Sequence, residues 1–212
     1  MKTSDFDYHL PEHFIAQTPV EPRDTSRLLV YNRDSQNITH ARFYEFGKFL
    51  SPGDVLVVNQ TRVIHGRLYG RKIPTGGKVE LLLLNQQGDL TWEVLVGGKG
   101  VRIGTILQVD HGPSAKVVNV RKGPIRVVEF SDPILDILPE AGSVPLPPYI
   151  HEKLSDPERY QTVYAREPGS AAAPTAGLHF TPGLIQSLKR RGVVFAEVTL
   201  HVGLDTFAPV RE

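Results

Sequence analysis

The sequence predicts an α/β body, a mixed sheet with flanking helices, that carries an inserted small all-β barrel domain. Short apolar runs separated by Gly and Pro clusters fill the middle of the 212-residue chain, and no helical period interrupts them. The stretches on either side alternate short helical and extended patterns, as α/β proteins do. We therefore expect residues 1–60 and 132–212 to form one discontinuous body, with residues 61–131 inserted as a six-stranded barrel.

The composition excludes several classes of protein. The chain has no cysteine, which rules out disulfides, Cys-based zinc sites and thiol catalysis together. Its eight histidines are scattered without the spacing of metal ligands, so we expect no metal site. No apolar run approaches the roughly 18 residues of a membrane helix, and the first residues lack the apolar core of a signal peptide. The expected location is the cytoplasm, without a membrane partner.

The first flank predicts a short helix and a strand. Phe43 and Phe46 recur at helical spacing within residues 41–50. The sequence Ser-Pro-Gly-Asp at 51–54 predicts a turn. The apolar run at 54–59 follows the turn directly, and we expect it to form a strand that is buried on both faces.

The middle stretch predicts six short strands, and it is also the most basic part of the chain. Between Arg62 and Val128, eleven Lys and Arg face four Asp and Glu, a balance of +7 in a chain whose net charge is +1. Such a segment is typical of a surface that binds a polyanion, although a solvated sheet face rich in Lys and Arg gives the same count. The predicted strands span residues 62–70, 78–85, 91–97, 105–110, 115–120 and 125–130.

The last stretch returns to helices and strands. Ser155 and Glu158 have the spacing of a capping box, which predicts a helix over 158–165. Thr181 precedes a proline and a second amphipathic pattern, so it is the expected N-cap of another helix. The apolar run at 193–203 then predicts a strand.

The segment 169–182 is the most unusual in the chain. It gathers small residues around Ser170, Thr175 and His179, immediately before a predicted helix. Small side chains let a ligand approach the backbone, hydroxyls can bind it, and an imidazole can move a proton near neutral pH. A tight connector in which His179 is a core residue explains the same pattern equally well.

A second group follows the predicted strand at 193–203. His201, Asp205 and Thr206 come at its carboxyl end, where α/β sheets bind ligands. A simple turn is the alternative explanation for Asp205 and Thr206.

A third group is cationic. Asn59 and Arg62 follow the predicted strand at 54–59, and Arg67, Arg71 and Lys72 follow without an intervening acid. The planar guanidinium group of arginine can donate paired hydrogen bonds to phosphate and carboxylate groups. Arg67 and Arg71 would share one face of a strand. Protection of a sheet edge by charge is the alternative.

Taken together, these segments resemble one family, the S-adenosylmethionine:tRNA ribosyltransferase-isomerases of queuosine biosynthesis. The run ERYQTVYA followed by GSAAAPTAGLHFT is the most specific part of the resemblance. Members of that family continue beyond the last residue here, and this chain covers roughly their first two-thirds. The matching pieces lie at 5–29, 53–72, 158–181 and 198–210.

The resemblance implies a fold and a reaction. The family joins an α/β body to a β-barrel, in agreement with the insertion described above. Its members take the ribosyl group of S-adenosylmethionine, transfer it to 7-aminomethyl-7-deazaguanine at the wobble position of tRNA, and isomerise it. Epoxyqueuosine tRNA forms, while adenine and methionine leave. S-adenosylmethionine is thus the expected ribosyl-donor co-substrate, and tRNA the expected partner of a monomeric enzyme.

Carried onto this chain, the resemblance also suggests roles for particular side chains. His179 is the first candidate for proton transfer, His201 is the second, and Tyr160 is a weaker one. Tyr164, predicted to lie one helical turn after Tyr160, joins the residues expected to bind or orient the substrate. These are Arg27, Asn59, Arg62, Gln161, Tyr164, Ser170, Thr175, Asp205 and Thr206.

The barrel has the remaining expected role. Arg67, Arg71 and Lys72 would hold the backbone of the tRNA anticodon stem-loop. Two alternatives remain open at the level of sequence. The chain could be a catalytically inactive RNA-binding fragment, or it could use S-adenosylmethionine for ordinary methyl transfer.

Overall fold

A computed structural model describes residues 2–152 and 154–203. Its helices are few: α1 spans Leu138–Ala141, α2 spans Pro182–Arg190, and the other helical segments are short 3-10 turns. The described strands are β1 Arg27–Tyr31, β2 Ile38–Arg42, β3 Val55–Asn59, β4 Thr61–Val63, β5 Arg67–Ile73, β6 Lys78–Gln86, β7 Thr91–Gly97, β8 Ile106–Val109, β9 Ser114–Val120, β10 Ile125–Phe130, β11 Gly142–Ser143, β12 Glu167–Ser170 and β13 Val194–Val198.

Six antiparallel strands form a closed barrel. Their order is β5, β6, β7, β10, β9 and β8, and β8 pairs back onto β5 to close the sheet. Inward and outward side chains alternate along β7 and β8, as expected for strands of a closed barrel, and β6 departs from the alternation at a register shift between Leu83 and Asn85. In β7, for example, Trp92, Val94 and Val96 are buried, whereas the residues between them are half-exposed. The predicted α/β body with a small inserted barrel is thereby confirmed as a fold class.

The predicted strand over 62–70 is instead two strands. β4 ends at Val63 and pairs in parallel with β12, whereas β5 begins at Arg67 and belongs to the barrel. The chain leaves one sheet and enters another at Ile64–Gly66, so a single extended run divides in two. The remaining five predicted barrel strands match the observed ones to within about one or two residues at each end.

Outside the barrel, the sheets are small and the packing is aromatic. β3 pairs in parallel with β13, and β1 pairs with β2 as a hairpin. A 3-10 helix at Phe43–Phe49 and helix α2 cover one side of the β3–β13 pair. The buried residues of this cluster are Phe43, Phe180, Leu188 and Val193. Edge-to-face packing of Phe43 on Phe180, with ring centroids 5.0 Å apart, fixes their relative orientation.

Strand β3 was expected to be buried on both faces, and this prediction is wrong. Val55 and Val57 are 57% and 66% exposed, because only the face that carries Leu56 and Val58 packs against the rest of the body. The prediction that this apolar run forms a strand is confirmed, but its composition could not show that one face is exposed.

The prediction of a helix over 158–165 is also wrong. A single 3-10 turn spans Pro157–Tyr160, and its N-cap is Asp156 rather than Ser155, with the Asp156 carboxylate accepting the Glu158 N–H at 2.9 Å. The turn stops because Gln161 is extended and bonds elsewhere. By contrast, Thr181 caps α2 as predicted, since its hydroxyl accepts the Leu184 N–H at 3.2 Å.

Candidate functional site

Two segments that follow strands meet at one edge of the body. Ser170 ends β12, and residues 199–203 follow β13. The Ala171 N–H donates to the Val202 carbonyl at 2.9 Å, and the Val202 N–H donates to the Ser170 hydroxyl at 3.0 Å. The Ser170 hydroxyl in turn donates to the Ala172 carbonyl at 2.8 Å, within a fully buried setting. The two segments singled out by sequence are therefore adjacent as far as Gly203; Asp205 and Thr206 lie outside the described residues.

His201 stands at the centre of this edge, and two neighbours fix its ring. Thr61 Oγ1 lies 2.8 Å from His201 Nδ1. Gly169 passes so close beneath the imidazole that an added Cβ would lie 2.9 Å from His201 Cε1 and 3.1 Å from both ring nitrogens. Gly169 also has φ of +138°, which side chains rarely adopt. The result is an exposed imidazole held in one orientation, with Nδ1 against a hydroxyl and, among the described residues, no hydrogen-bond partner for Nε2.

Asn59 attaches the His201 segment to the end of β3. Its side-chain amide donates to the Leu200 carbonyl at 2.8 Å and accepts the Leu200 N–H at 3.1 Å. The same oxygen accepts the Thr61 N–H at 3.1 Å, so one side chain fixes both residues next to the imidazole. Asn59, which was expected to orient a substrate, uses both ends of its side-chain amide in these contacts within the protein.

A polar group continues the same edge outward. Arg166 bonds both the Gln60 side-chain carbonyl and the Glu197 carboxylate. Gln60 also donates to the Thr199 hydroxyl at 3.0 Å. Arg166 therefore joins Glu197 to Gln60, the residue after Asn59, and Gln60 in turn bonds Thr199, the residue before Leu200. The sequence reasoning did not select any of these four residues.

Gln161 and Tyr160 are buried behind the site. The Gln161 amide accepts the Val63 N–H at 3.0 Å and donates to the Val63 carbonyl at 2.9 Å. Tyr160 packs with Val63 and Ala173. Burial raises the pKa of Tyr160, and a hydrogen bond with the Ala173 backbone offsets part of that rise.

Tyr164 and His179 belong to the aromatic cluster. Burial raises the pKa of Tyr164 to about 12, so its hydroxyl is protonated at neutral pH. His179 is half-buried, with its ring 5.3 Å from the Phe43 ring, and Thr175 is exposed at the start of the same 3-10 turn. Within the described ranges, no hydrogen bond connects His179 to the His201 group. Tyr164 does not follow Tyr160 by one helical turn, because the helix ends at Tyr160.

The predicted arginines do not form one group. Arg62 pairs with Glu158, and Arg67 pairs with Glu80 at 3.2 Å. Arg71 is exposed on the outer face of β5, and Lys72 donates to the Lys99 carbonyl at 2.8 Å. Arg27 is exposed at the start of β1, opposite Arg42.

Sequence reasoning missed Thr61 and the role of Gly169. Thr61 lies between the selected residues Asn59 and Arg62, but its hydroxyl reaches His201 only because β4 and β12 pair in parallel beside the β3–β13 pair. Gly169 belongs to the small-residue segment that was singled out, but its contact with a ring 32 positions later has no local signal.

Among the residues that the structure describes, no helix is both long and apolar enough to span a membrane. In the same part of the chain, no group of three or more His, Asp or Glu residues is arranged to hold a metal ion.

Comparison with known proteins gives a consistent result. The queuosine biosynthesis protein family matches residues 3–212. The S-adenosylmethionine:tRNA ribosyltransferase-isomerases of Carboxydothermus hydrogenoformans and Dehalococcoides mccartyi are 55% and 52% identical to this chain over its whole length. The chain spans 63% of the length of each of these relatives. An S-adenosylmethionine tRNA ribosyltransferase structure from Thermotoga maritima is 38% identical, covering 93% of this chain and 58% of that one, with a TM-score of 0.39.

The family match covers nearly every residue, and the two relatives are identical to this chain at more than half of the aligned positions. The chain therefore belongs to the queuosine biosynthesis protein family.

Proposed function

We propose that this chain transfers the ribosyl group of S-adenosylmethionine to 7-aminomethyl-7-deazaguanine at the wobble position of tRNA and isomerises it. Adenine and methionine would leave, and epoxyqueuosine tRNA would form. The names of the relatives support this reaction, and the observation that carries it is the exposed His201 imidazole fixed by Gly169 and Thr61. We further propose that the protein works in the cytoplasm as a monomer.

The chemistry requires a positioned proton acceptor. The sulfonium of S-adenosylmethionine acidifies the neighbouring C5′ hydrogen, and removal of that proton starts the loss of adenine. The acceptor amine must also be neutral to attack the sugar, although an alkylamine has a pKa of about 10. At least one protein group must therefore take up a proton.

We propose His201 as that group, ahead of His179. The Thr61 hydroxyl has one hydrogen, and the Glu167 carbonyl lies 3.4 Å away as its acceptor. If the hydroxyl donates to that carbonyl, it must accept from Nδ1–H of His201, which leaves a lone pair on Nε2. His179 instead packs against Phe43 in the aromatic cluster. Tyr160 and Tyr164 remain protonated at neutral pH and would serve as hydroxyl donors rather than bases.

The other site residues divide into two proposed groups. Asn59, Gln161 and Ser170 would position the site, because their side-chain polar atoms are already bonded to the Leu200, Val63, Val202 or Ala172 backbone. The other residues are proposed to contact the donor or the base. They are Arg27, Arg62, Tyr164, Thr175, Asp205 and Thr206. Arg27 and Thr175 are exposed, and Arg62 pairs with Glu158, which is itself exposed.

The barrel is the proposed holder of the tRNA. We propose that residues 61–131 form an inserted domain on a body made of 1–60 and 132–212, with Arg67, Arg71 and Lys72 toward the anticodon stem-loop. The +7 balance between Arg62 and Val128 supports an electrostatic contact with phosphates. Arg67 shares its charge with Glu80, so Arg71 is the cation with the greater expected effect.

Analysis of the reaction products tests this function. The chain is incubated with S-adenosylmethionine and tRNA that carries 7-aminomethyl-7-deazaguanine, and the small molecules are separated and identified. We expect adenine and methionine in equal amounts. S-adenosylhomocysteine would indicate methyl transfer instead, and binding of tRNA without any product would indicate a catalytically inactive RNA-binding protein. Either of these results would overturn the proposal.

A further inference from the structure

A groove lies between the barrel and the proline-rich connector that follows it. Its volume is about 870 Å³, within the roughly 300–1,000 Å³ of small-molecule sites. Three barrel-side residues, His65, Arg67 and Tyr69, line one wall. The opposite wall is formed by connector residues that include Leu146, Pro147 and Ile150.

The lining combines stacking surfaces with polar groups. Tyr69 points outward from β5 and is 50% exposed, which gives a flat aromatic surface. Proline and leucine side chains across the groove are apolar. The Nδ1 atom of His65 is buried and has no hydrogen-bond partner within the described residues. His65 as a whole is half-buried and lines the groove, so its imidazole adds a polar group to the lining.

The charge around the groove indicates what kind of ligand it takes. The charged residues of the lining include Arg67, Glu80 and Glu152. Arg67 is paired with Glu80, so these two charges offset each other, whereas Glu152 is exposed. Exposed Arg71 lies two residues after Tyr69 on the same outer face of β5. A groove with an exposed tyrosine ring in its lining and an exposed cation beside it matches a nucleotide, whose base is flat and uncharged while its phosphate is anionic.

We propose that this groove receives an unstacked nucleotide of the RNA substrate, with its base against Tyr69 and its phosphate toward Arg71. This inference rests on the proposed function for the RNA partner, and it adds a binding position distinct from the His201 edge. Single-stranded loop bases are the ones that proteins take out of the stack and place on aromatic side chains.

Binding to two RNAs tests the groove. A synthetic hairpin with an anticodon-arm sequence offers unpaired loop bases, and a fully paired duplex of equal length does not. We expect Tyr69→Ala to weaken hairpin binding about tenfold, from the loss of one stacked base, and to leave duplex binding unchanged. Tyr44→Ala is the matched control, because Tyr44 is 53% exposed and does not line the groove.

A second variant blocks the groove without removing a contact. Ser143 is exposed and lines the groove, so Ser143→Trp should fill it and reduce hairpin binding as Tyr69→Ala does. Exposed Ser35, which is not part of the lining, gives the control Ser35→Trp. Arg71→Ala should weaken both RNAs and lower the salt dependence of binding by about one unit.

The outcomes separate the two proposals. If the unchanged chain binds hairpin and duplex, and Tyr69→Ala and Ser143→Trp leave hairpin affinity intact, the groove inference is overturned while RNA binding stands. If the unchanged chain binds neither RNA, the proposed RNA partner fails, and the groove inference fails with it. Circular dichroism melting of each variant confirms that the fold is retained.

Discussion

The orientation of the His201 ring depends on residues that are far from it in sequence. Thr61 and Gly169 contact the imidazole, and Asn59 holds the segment that carries it. The position of His201 at a strand end was predictable, because parallel strands gather their carboxyl ends at one edge. Its partners were not, since each contact depends on which strands pair and in which register.

Gly169 should be intolerant of any side chain. Gly169→Ala puts a Cβ against the His201 ring at a positive φ, so we expect the ring to move and stability to fall by about 1–3 kcal/mol. Histidine NMR signals report the change, with the His201 signal assigned from His201→Gln. Gly183→Ala is the control, because a Cβ there meets nothing within 4 Å. An unshifted His201 signal in Gly169→Ala would refute the contact.

Tyr164 should make stability fall at high pH. Its pKa is raised by burial to about 12 in the folded protein, against about 10 in the unfolded chain. Its contribution is therefore fully present below pH 10 and is lost as the pH rises toward 12, because the unfolded state ionises first. The free energy of unfolding, measured by urea titration, should fall less between about pH 9 and about pH 11 in Tyr164→Phe than in the unchanged protein. Exposed Tyr44→Phe is the control, and an equal loss in both variants would contradict the burial of Tyr164.

At the level of elements, the barrel was the most predictable part of the molecule. Strands such as β7 and β8 alternate buried and outward side chains, and Gly or Pro clusters mark the turns between strands. The helix expected over 158–165 failed for a long-range reason. Gln161 turns away to bond the Val63 backbone, and no local pattern carries that information. The division of 62–70 into β4 and β5 has the same origin, because the two strands pair in different sheets.

Closure of the barrel depends on a close backbone approach at Gly70. Strand β8 packs so tightly on β5 there that a Cβ would collide with the Gln108 carbonyl. We expect Gly70→Ala to lower the free energy of unfolding by about 1–3 kcal/mol, measured by urea titration. Gly88→Ala, whose Cβ would meet only Thr91 at 3.8 Å, should change it little. Equal stability of the two variants would contradict the observed closure.

For the whole molecule, two surfaces contrast. The barrel carries the excess of Lys and Arg, with Arg71 exposed on its outer face. The β3–β13 pair leaves Val55, Val57 and Val194 exposed by 57%, 66% and 51%. An open apolar face of this kind is typical of a surface that packs against further polypeptide. The His201 edge lies at the carboxyl end of this pair.

The rate of adenine release from S-adenosylmethionine, in the presence of tRNA carrying 7-aminomethyl-7-deazaguanine, tests the proposed role of His201 most directly. We expect His201→Ala to lower that rate by about 100-fold or more, the range of a lost general base. His179→Ala should have a much smaller effect, because that ring packs in the aromatic cluster. Adenine release at an unchanged rate in His201→Ala would contradict the account.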